Sequence, residues 1–244
     1  MPKSKRIHIG TSGWSYNHWI GAFYPQEMAA SEMLSYYVER FRTVEINNSF
    51  YHLPSEKSFE SWRDTAGKDF VFAVKASRYI THMKKLKDPG EPVARFVERV
   101  RTLGGSLGPI LFQLPPKWQS NPARLREFLS QLPDNFRYAF EFRDTSWFTE
   151  EISRLLEHAG AAFCIYELEG ILSPIEVTAD FVYIRLHGPK GAYQGSYEAS
   201  ILADWAGTIS SWAAQGREVF CYFDNDQHGY AAQNALQLQD MLSR

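Results

Sequence analysis

The chain has little cysteine, almost no net charge and no long apolar run, and each shortage removes a class of protein. Its only thiols, Cys164 and Cys221, are too few for a thiolate metal cage. Each falls in mid-strand, in the sixth and eighth β/α units described below, so they are expected to be separate reduced core residues, not a disulfide. A formal charge of -2 gives no global attraction for polyanions, so nucleic acid would require a local basic groove. No apolar run approaches the ~18 residues of a membrane span, and no membrane partner is expected. Met1-Pro2-Lys3-Ser4-Lys5-Arg6 leads straight into a strand without a signal-peptide hydrophobic segment. The expected location is therefore cytoplasmic. No Pro/Gly-rich linker and no fixed-period repeat divides the chain, which excludes a solenoid and points to a single domain over residues 1–244.

What the chain does have is eight short apolar runs that end in polar residues, most of them followed by a helix-like stretch. They are Ile7–Gly10, Thr43–Asn47, Phe70–Lys75, Ile110–Gln113, Tyr138–Arg143, Phe163–Glu167, Val182–His187 and Val219–Asp224. Helices are expected over 27–41, 56–66, 91–103, 122–131, 149–159, 198–215 and 230–242. The stretch Glu169-Gly170-Ile171-Leu172-Ser173-Pro174 leaves room for only a short or missing helix after the sixth strand. Strands alternating with helices imply a parallel sheet. Eight units in 244 residues fit one α/β TIM-type (β/α)8 barrel. In that fold chemistry gathers at the C-terminal strand ends.

Side chains two apart on a strand share a face. On the fifth strand Tyr138, Phe140 and Phe142 oppose Ala139, Glu141 and Arg143. On the seventh, Val182, Ile184 and Leu186 oppose Tyr183, Arg185 and His187. The apolar sets suit packing against helices, so the other sets should point into the barrel. The same test turns inward Gly10 and Ser12, Glu45 and Asn47, Ala73 and Lys75, Gln113, Cys164 and Tyr166, and Tyr222 and Asp224. Barrel interiors are dominated by branched aliphatic residues. A mouth lined by Glu45, Lys75, Gln113, Glu141, Arg143, Arg185, His187 and Asp224 is costly to desolvate without mutual pairing or a ligand.

Glu45 and Glu141 are candidates for an acid/base pair, and His187 for a proton shuttle. Lys75, Arg143 and Arg185 are candidates for holding anionic groups or developing charge. With Ser12, Trp14, Asn47, Tyr51, Gln113, Tyr193, Tyr222, Asp224 and Asn225 they make a polar, small-molecule site. The alternative for the ionic groups is a closed salt-bridge network without chemistry. No cofactor is expected. A weaker alternative assembles a Zn or Mn site from Glu45, Glu141, His187 and Asp224, although no H-x-x-x-H or C-x-x-C spacing supports it.

The loops add recognition chemistry. Thr11–Trp19 with Phe23 and Tyr24, and Asn47–His52, are aromatic. They read equally as stacking walls or as a lid packed on its own barrel. The glycine-rich run His187–Tyr197 and the run Asp224–Tyr230 follow the strands whose loops often hold phosphate in barrels, but Asp224 and Asp226 would oppose an anion there.

Together these segments resemble the YecE-like family, domain of unknown function 72. The resemblance is carried by Ile9-Gly10-Thr11-Ser12-Gly13-Trp14, Thr43–Tyr51, Phe72–Ala76, Leu111–Pro116 and Ala139–Asp144. It continues through Tyr183–Gly188, Tyr222-Phe223-Asp224-Asn225, Gly229, Ala231, Asn234 and Ala235. The family pattern has paired asparagines at the end of the eighth strand, and Asp224 stands in place of the first. The resemblance implies a TIM-type barrel and no settled activity. The expectation is an enzyme acting on a polar, anionic or hydroxyl-rich small substrate, by hydrolysis, isomerisation or carbon–carbon cleavage. The alternatives are a nucleic-acid-binding or repair-nuclease-like protein using the Arg78, Lys84, Lys85 and Lys87 rim, and a non-catalytic metabolite-binding protein.

Overall fold

Buried, β-branched and aromatic runs form the strands of a computed structural model that describes residues 6–243. The start of the expected leaderless segment, Met1–Lys5, lies outside them. In chain order the strands are β1 Ile7–Thr11, β2 Thr43–Ile46, β3 Val71–Lys75, β4 Leu107–Gln113, β5 Tyr138–Glu141, β6 Ala162–Leu168, β7 Ile171–Leu172, β8 Phe181–Leu186 and β9 Glu218–Phe223. The helices are α1 Met33–Val38, α2 Glu56–Ala66, α3 Gly90–Val100, α4 Pro122–Leu129, α5 Glu150–His158, α6 Ala199–Ala214 and α7 Tyr230–Leu242. The strand order is β1-β9-β8-β6-β5-β4-β3-β2, with β7 attached only to β6. A parallel bridge between Ser12 and Glu45 joins the two ends of that order. The fold is thus α/β, a TIM-type barrel. Among the described residues, no helix is long and apolar enough to cross a membrane.

The chain comprises two compact units: residues 1–45, 165–173 and 181–244 form the first, and 46–164 with 174–180 the second. Two of the crossing points fall inside strands, after Glu45 in β2 and after Cys164 in β6. No linker composition marks either point because β-strand residues occupy both.

Within the first unit, the stretch after β6 confirms the expected missing helix and shows what replaces it. Glu169 and Gly170 both have positive φ, 55° and 74°, the requirement of a two-residue type I′ turn. The turn folds Ile171 and Leu172 back as an antiparallel partner of Glu167 and Leu168. The expected helix over 27–41 shrinks to α1, and Glu27, where it was expected to begin, has a non-helical φ of 67°. Gly10 is dictated by packing: a Cβ there would lie 2.4 Å from the Thr43 carbonyl oxygen. The backbones of β1 and β2 approach too closely for any side chain at that position.

In the second unit, capping residues set the helix starts. Ser55, Asn121 and Thr149 each accept a backbone N–H of the first turn of α2, α4 and α5, which offsets an otherwise unpaired donor. The expected 91–103 helix is α3 followed by a 3-10 segment, Arg101–Ser106, where Gly104 leaves helical backbone angles. An unexpected five-residue π-helix, Tyr79–Met83, follows β3. The outward face of β4 and β5 packs as parity requires: Phe140 stacks on Phe112 and meets Phe128 of α4, and Phe142 stacks on Trp147. Cys164 in the second unit and Cys221 in the first are both buried and form no disulfide.

Candidate functional site

Strand parity brings six polar side chains of the first unit into one buried network. Ser12 follows β1, Glu45 lies on β2, Tyr183 and Arg185 on β8, and His187 and Asp224 just beyond β8 and β9. Arg185, with no exposed surface, is at the centre. Its Nε and Nη2 donate to Glu45 Oε1 at 3.1 and 2.8 Å, and Nη2 also reaches Ser12 Oγ at 2.9 Å and Asp224 Oδ2 at 3.0 Å. The Ser12 hydroxyl donates to Glu45 Oε1, and the Tyr183 hydroxyl donates to Oε2 at 2.6 Å. Both oxygens of Glu45 are therefore occupied by donors. This carboxylate anchors the guanidinium.

His187 is buried as well. Its Nδ1 lies 2.9 Å from Asp224 Oδ2, and its Nε2 lies 3.3 Å from Arg185 Nη1. A guanidinium only donates, so Nε2 accepts and the proton of the neutral ring sits on Nδ1, directed at Asp224. Tyr166 and Tyr193 pack edge-on against the imidazole, with ring centroids 6.2 and 5.6 Å away. Tyr193 rides on the loop between β8 and α6, at φ 64°, and is 43% exposed. The loop turns at Gly188, where a Cβ would meet the Gln194 carbonyl oxygen at 2.3 Å.

The loops expected to receive an anion use their donors on one another. Tyr193 N–H bonds to the His187 carbonyl, Gly188 N–H to the Tyr197 hydroxyl and Gly195 N–H to Gln227 Oε1. Asn225 Nδ2 donates to the Gly195 carbonyl and to Asn234 Oδ1 at 2.8 and 2.9 Å, so Asn225 ties these loops to α7. Nearby acids have raised pKa values. Burial pushes up the Glu167 carboxyl, and burial with the Asp224 charge pushes up that of Asp226. Burial and the carboxylates of Asp224, Asp226 and Glu45 also raise the Tyr16 phenol.

Other expected residues of this unit have different work. Trp14 is buried and accepts from the Tyr24 hydroxyl through its carbonyl. With Trp19 fully buried and ringed by Tyr16, Phe23 and Tyr24, the first aromatic loop is a packed cluster. That packing accords with the lid reading of this loop. Tyr222 is fully buried, its hydroxyl 2.7 Å from Thr43 Oγ1. That contact buttresses β2 beneath the charged layer.

The second unit carries its own cluster. Glu141 is fully buried and ion-paired with Arg143. Gln113, the register partner of Glu141, donates to the Leu114 carbonyl at 3.0 Å. Lys75 Nζ lies 4.4 Å above the Phe50 ring, and the His82 ring meets Phe50 edge-on at 5.0 Å. Burial and the charges of Lys75, Arg78 and Arg143 hold the His82 imidazole down to about 4. Asn47 is half-buried at the start of a 3-10 turn, Asn48–Phe50, and Tyr51 is 64% exposed. Among the described residues, no group of three or more His, Cys, Asp or Glu is arranged to hold a metal ion. In the alternative metal set Glu45 and Asp224 instead share Arg185.

Sequence reasoning left three participants out of the site. Tyr183 was legible by parity, two residues before Arg185. Asn234 is among the residues that carry the family resemblance without being read as part of the site, and His82 had no local signal because it depends on an unforeseen π-helix.

A family model described as "Protein of unknown function DUF72" matches residues 8–244. The chain belongs to the DUF72 family. A DUF72 family protein of Thermotoga maritima has a crystal structure that matches with a TM-score of 0.88 at 30% identity, covering 98% of this chain and 99% of the other. A DUF72 family protein of Enterococcus faecalis matches at TM-score 0.80 and 20% identity, covering 98% and 96%. The UPF0759 protein YunF of Bacillus subtilis is 26% identical across 97% of this chain and 94% of its own length. These relatives support the fold and the family, and none of their names states an activity.

Proposed function

We propose that this DUF72 chain is an enzyme that moves a proton on a polar, hydroxyl-rich or anionic small substrate at the strand ends of the first unit. The observation that carries the reading is the Asp224–His187–Arg185 arrangement. Asp224 fixes the imidazole tautomer through Nδ1, and Nε2, which accepts from Arg185 Nη1, serves as the base once substrate takes over that guanidinium N–H. The cluster holds two carboxylates and one guanidinium, so it carries one surplus negative charge. Arg185, held by Glu45 and Ser12, is positioned to stabilise negative charge developing on substrate oxygen. Because Tyr193 packs against the ring, substrate entry requires its loop to move aside. Hydrolysis, isomerisation and carbon–carbon cleavage share this proton-transfer step.

The test begins with a metabolite library screened by thermal shift, since a ligand of the folded state raises its stability. Hits are then incubated with protein and analysed for product by mass spectrometry. His187→Gln and Asp224→Asn are expected to lower turnover by roughly 10²-fold or more, assayed at a temperature where urea denaturation shows each variant folded. Undiminished turnover in both variants would sink the assignment. Binding without any product from any hit would favour the non-catalytic, metabolite-binding alternative.

A further inference from the structure

His187 has no exposed surface, and the two rings against it differ in depth: Tyr166 is buried on β6, whereas Tyr193 is 43% exposed. The way to the imidazole therefore passes Tyr193. Its loop is built in two parts. The tip bonds to itself, with Tyr193 N–H on the His187 carbonyl at 2.7 Å and Gln194 N–H on the Gly191 carbonyl at 3.1 Å. Residues 195–197 are held instead by segments that follow β9. Asn234 of α7, only 2% exposed, accepts the Tyr197 N–H at 3.1 Å and the Asn225 amide at 2.9 Å, and it donates to Ser196 Oγ at 3.1 Å. Asn225 carries the hold on to the Gly195 carbonyl at 2.8 Å. Two features set a cost on this closed arrangement. Asn225 Oδ1 is buried and finds no hydrogen-bond partner among the described residues, and an acceptor so placed forfeits its bond to water. Tyr193 is held at φ 64°, a left-handed conformation that bulky residues rarely adopt. Opening relieves both.

We propose that Asn225 and Asn234 form a clasp that sets Tyr193 over His187, and that its release opens the proposed site. Both are positioning residues, because they act through Gly195, Ser196 and Tyr197 and not on the imidazole. The inference rests on the reading of His187 as the reactive group and adds how access to that group is controlled. Truncation of Asn234 to alanine strands the Tyr197 N–H and the Asn225 amide while the loop is closed, whereas opening lets water reach them. The balance must therefore move toward the open loop.

The experiment treats the full-length protein briefly with diethyl pyrocarbonate, which acylates accessible imidazoles, and follows each histidine by peptide mapping. His8, part-buried against Glu218 on β1, is the internal reference. A general loss of stability speeds both histidines, but a released clasp speeds His187 alone. Asn234→Ala and Asn225→Ala are each expected to raise the His187 rate relative to His8 about tenfold, the effect of losing two hydrogen bonds from the closed state. Gln227→Ala removes only the exposed partner of Gly195 N–H, so it folds without difficulty and should raise the ratio about two- to threefold. Backbone hydrogen exchange provides the second readout: residues 188–197 should accelerate in all three variants while the amides of β8 and β9 keep their protection. A ratio unchanged in every variant, or His8 and His187 rising together, would overturn the clasp. No turnover enters this test. Undiminished turnover in His187→Gln would thus overturn the acid/base reading alone, and an unmoved loop the clasp alone.

Discussion

Replacing Arg185 by methionine is expected to lower the unfolding free energy by about 3–5 kcal/mol, the usual cost of breaking a buried ion pair from one side. Arg185 and Glu45 are both fully buried, so water cannot take over the bonds that are lost. Glu45 loses two guanidinium N–H donors, at 3.1 and 2.8 Å, and Asp224 loses one at 3.0 Å. Charge-assisted bonds contribute about 1.5–3 kcal/mol each. Their sum overstates the change, because the methionine side chain itself gains by burial and Ser12 and Tyr183 still donate to Glu45. The decisive quantity is the coupling. Glu45→Gln alone costs Arg185 one of its two carboxylates while Asp224 stays in place, whereas adding Arg185→Met removes the guanidinium whose pairing was lost. The double variant should therefore be more stable than the sum of the single losses requires, by about 2 kcal/mol. Urea denaturation of the four proteins, followed by tryptophan fluorescence with the slopes compared, reads this directly. Losses that add within about 0.5 kcal/mol would refute a shared buried ion pair.

Four further outcomes follow from the same structure. Gly10→Ala should destabilise severely or prevent soluble expression, because its Cβ would sit 2.4 Å from the Thr43 carbonyl; Gly207→Ala in α6, with open space around it, should stabilise by about 1 kcal/mol in the same denaturation assay. Between pH 6.5 and about 4 the unfolded chain protonates His82 while the folded one does not, so stability should fall as pH falls through that window. His82→Gln should show a shallower decline in unfolding free energy, and an identical pH profile would contradict the depressed imidazole. Tyr193→Ala should leave the melting temperature nearly unchanged, while hydrogen exchange of the Gly188–Tyr197 backbone accelerates; unaltered exchange would refute a loop pinned through the Tyr193–His187 ring contact.

The sequence determined the alternation of strands and helices, the missing helix after β6, and which face of each strand carries polar groups. These are local properties: a pleat repeats every two residues, and Glu169-Gly170 encodes its own turn. Parity thus placed Ser12, Glu45, Tyr183, Arg185, His187 and Asp224 on inward faces before any partner was known. Only tertiary structure decided who pairs with whom. Glu45 could have been read as a free acid, but the hydroxyls of Ser12 and Tyr183 and the guanidinium of Arg185 occupy both its oxygens. Trp19 could have formed an open wall, but Tyr16, Phe23 and Tyr24 enclose it. His82 owes its depressed imidazole to burial on a π-turn and to cations contributed by β3 and by the residues following β5. Such partners come from strands far apart in the chain, and their approach depends on sheet register and on close backbone contacts such as that of Gly10 with Thr43, which no local pattern records.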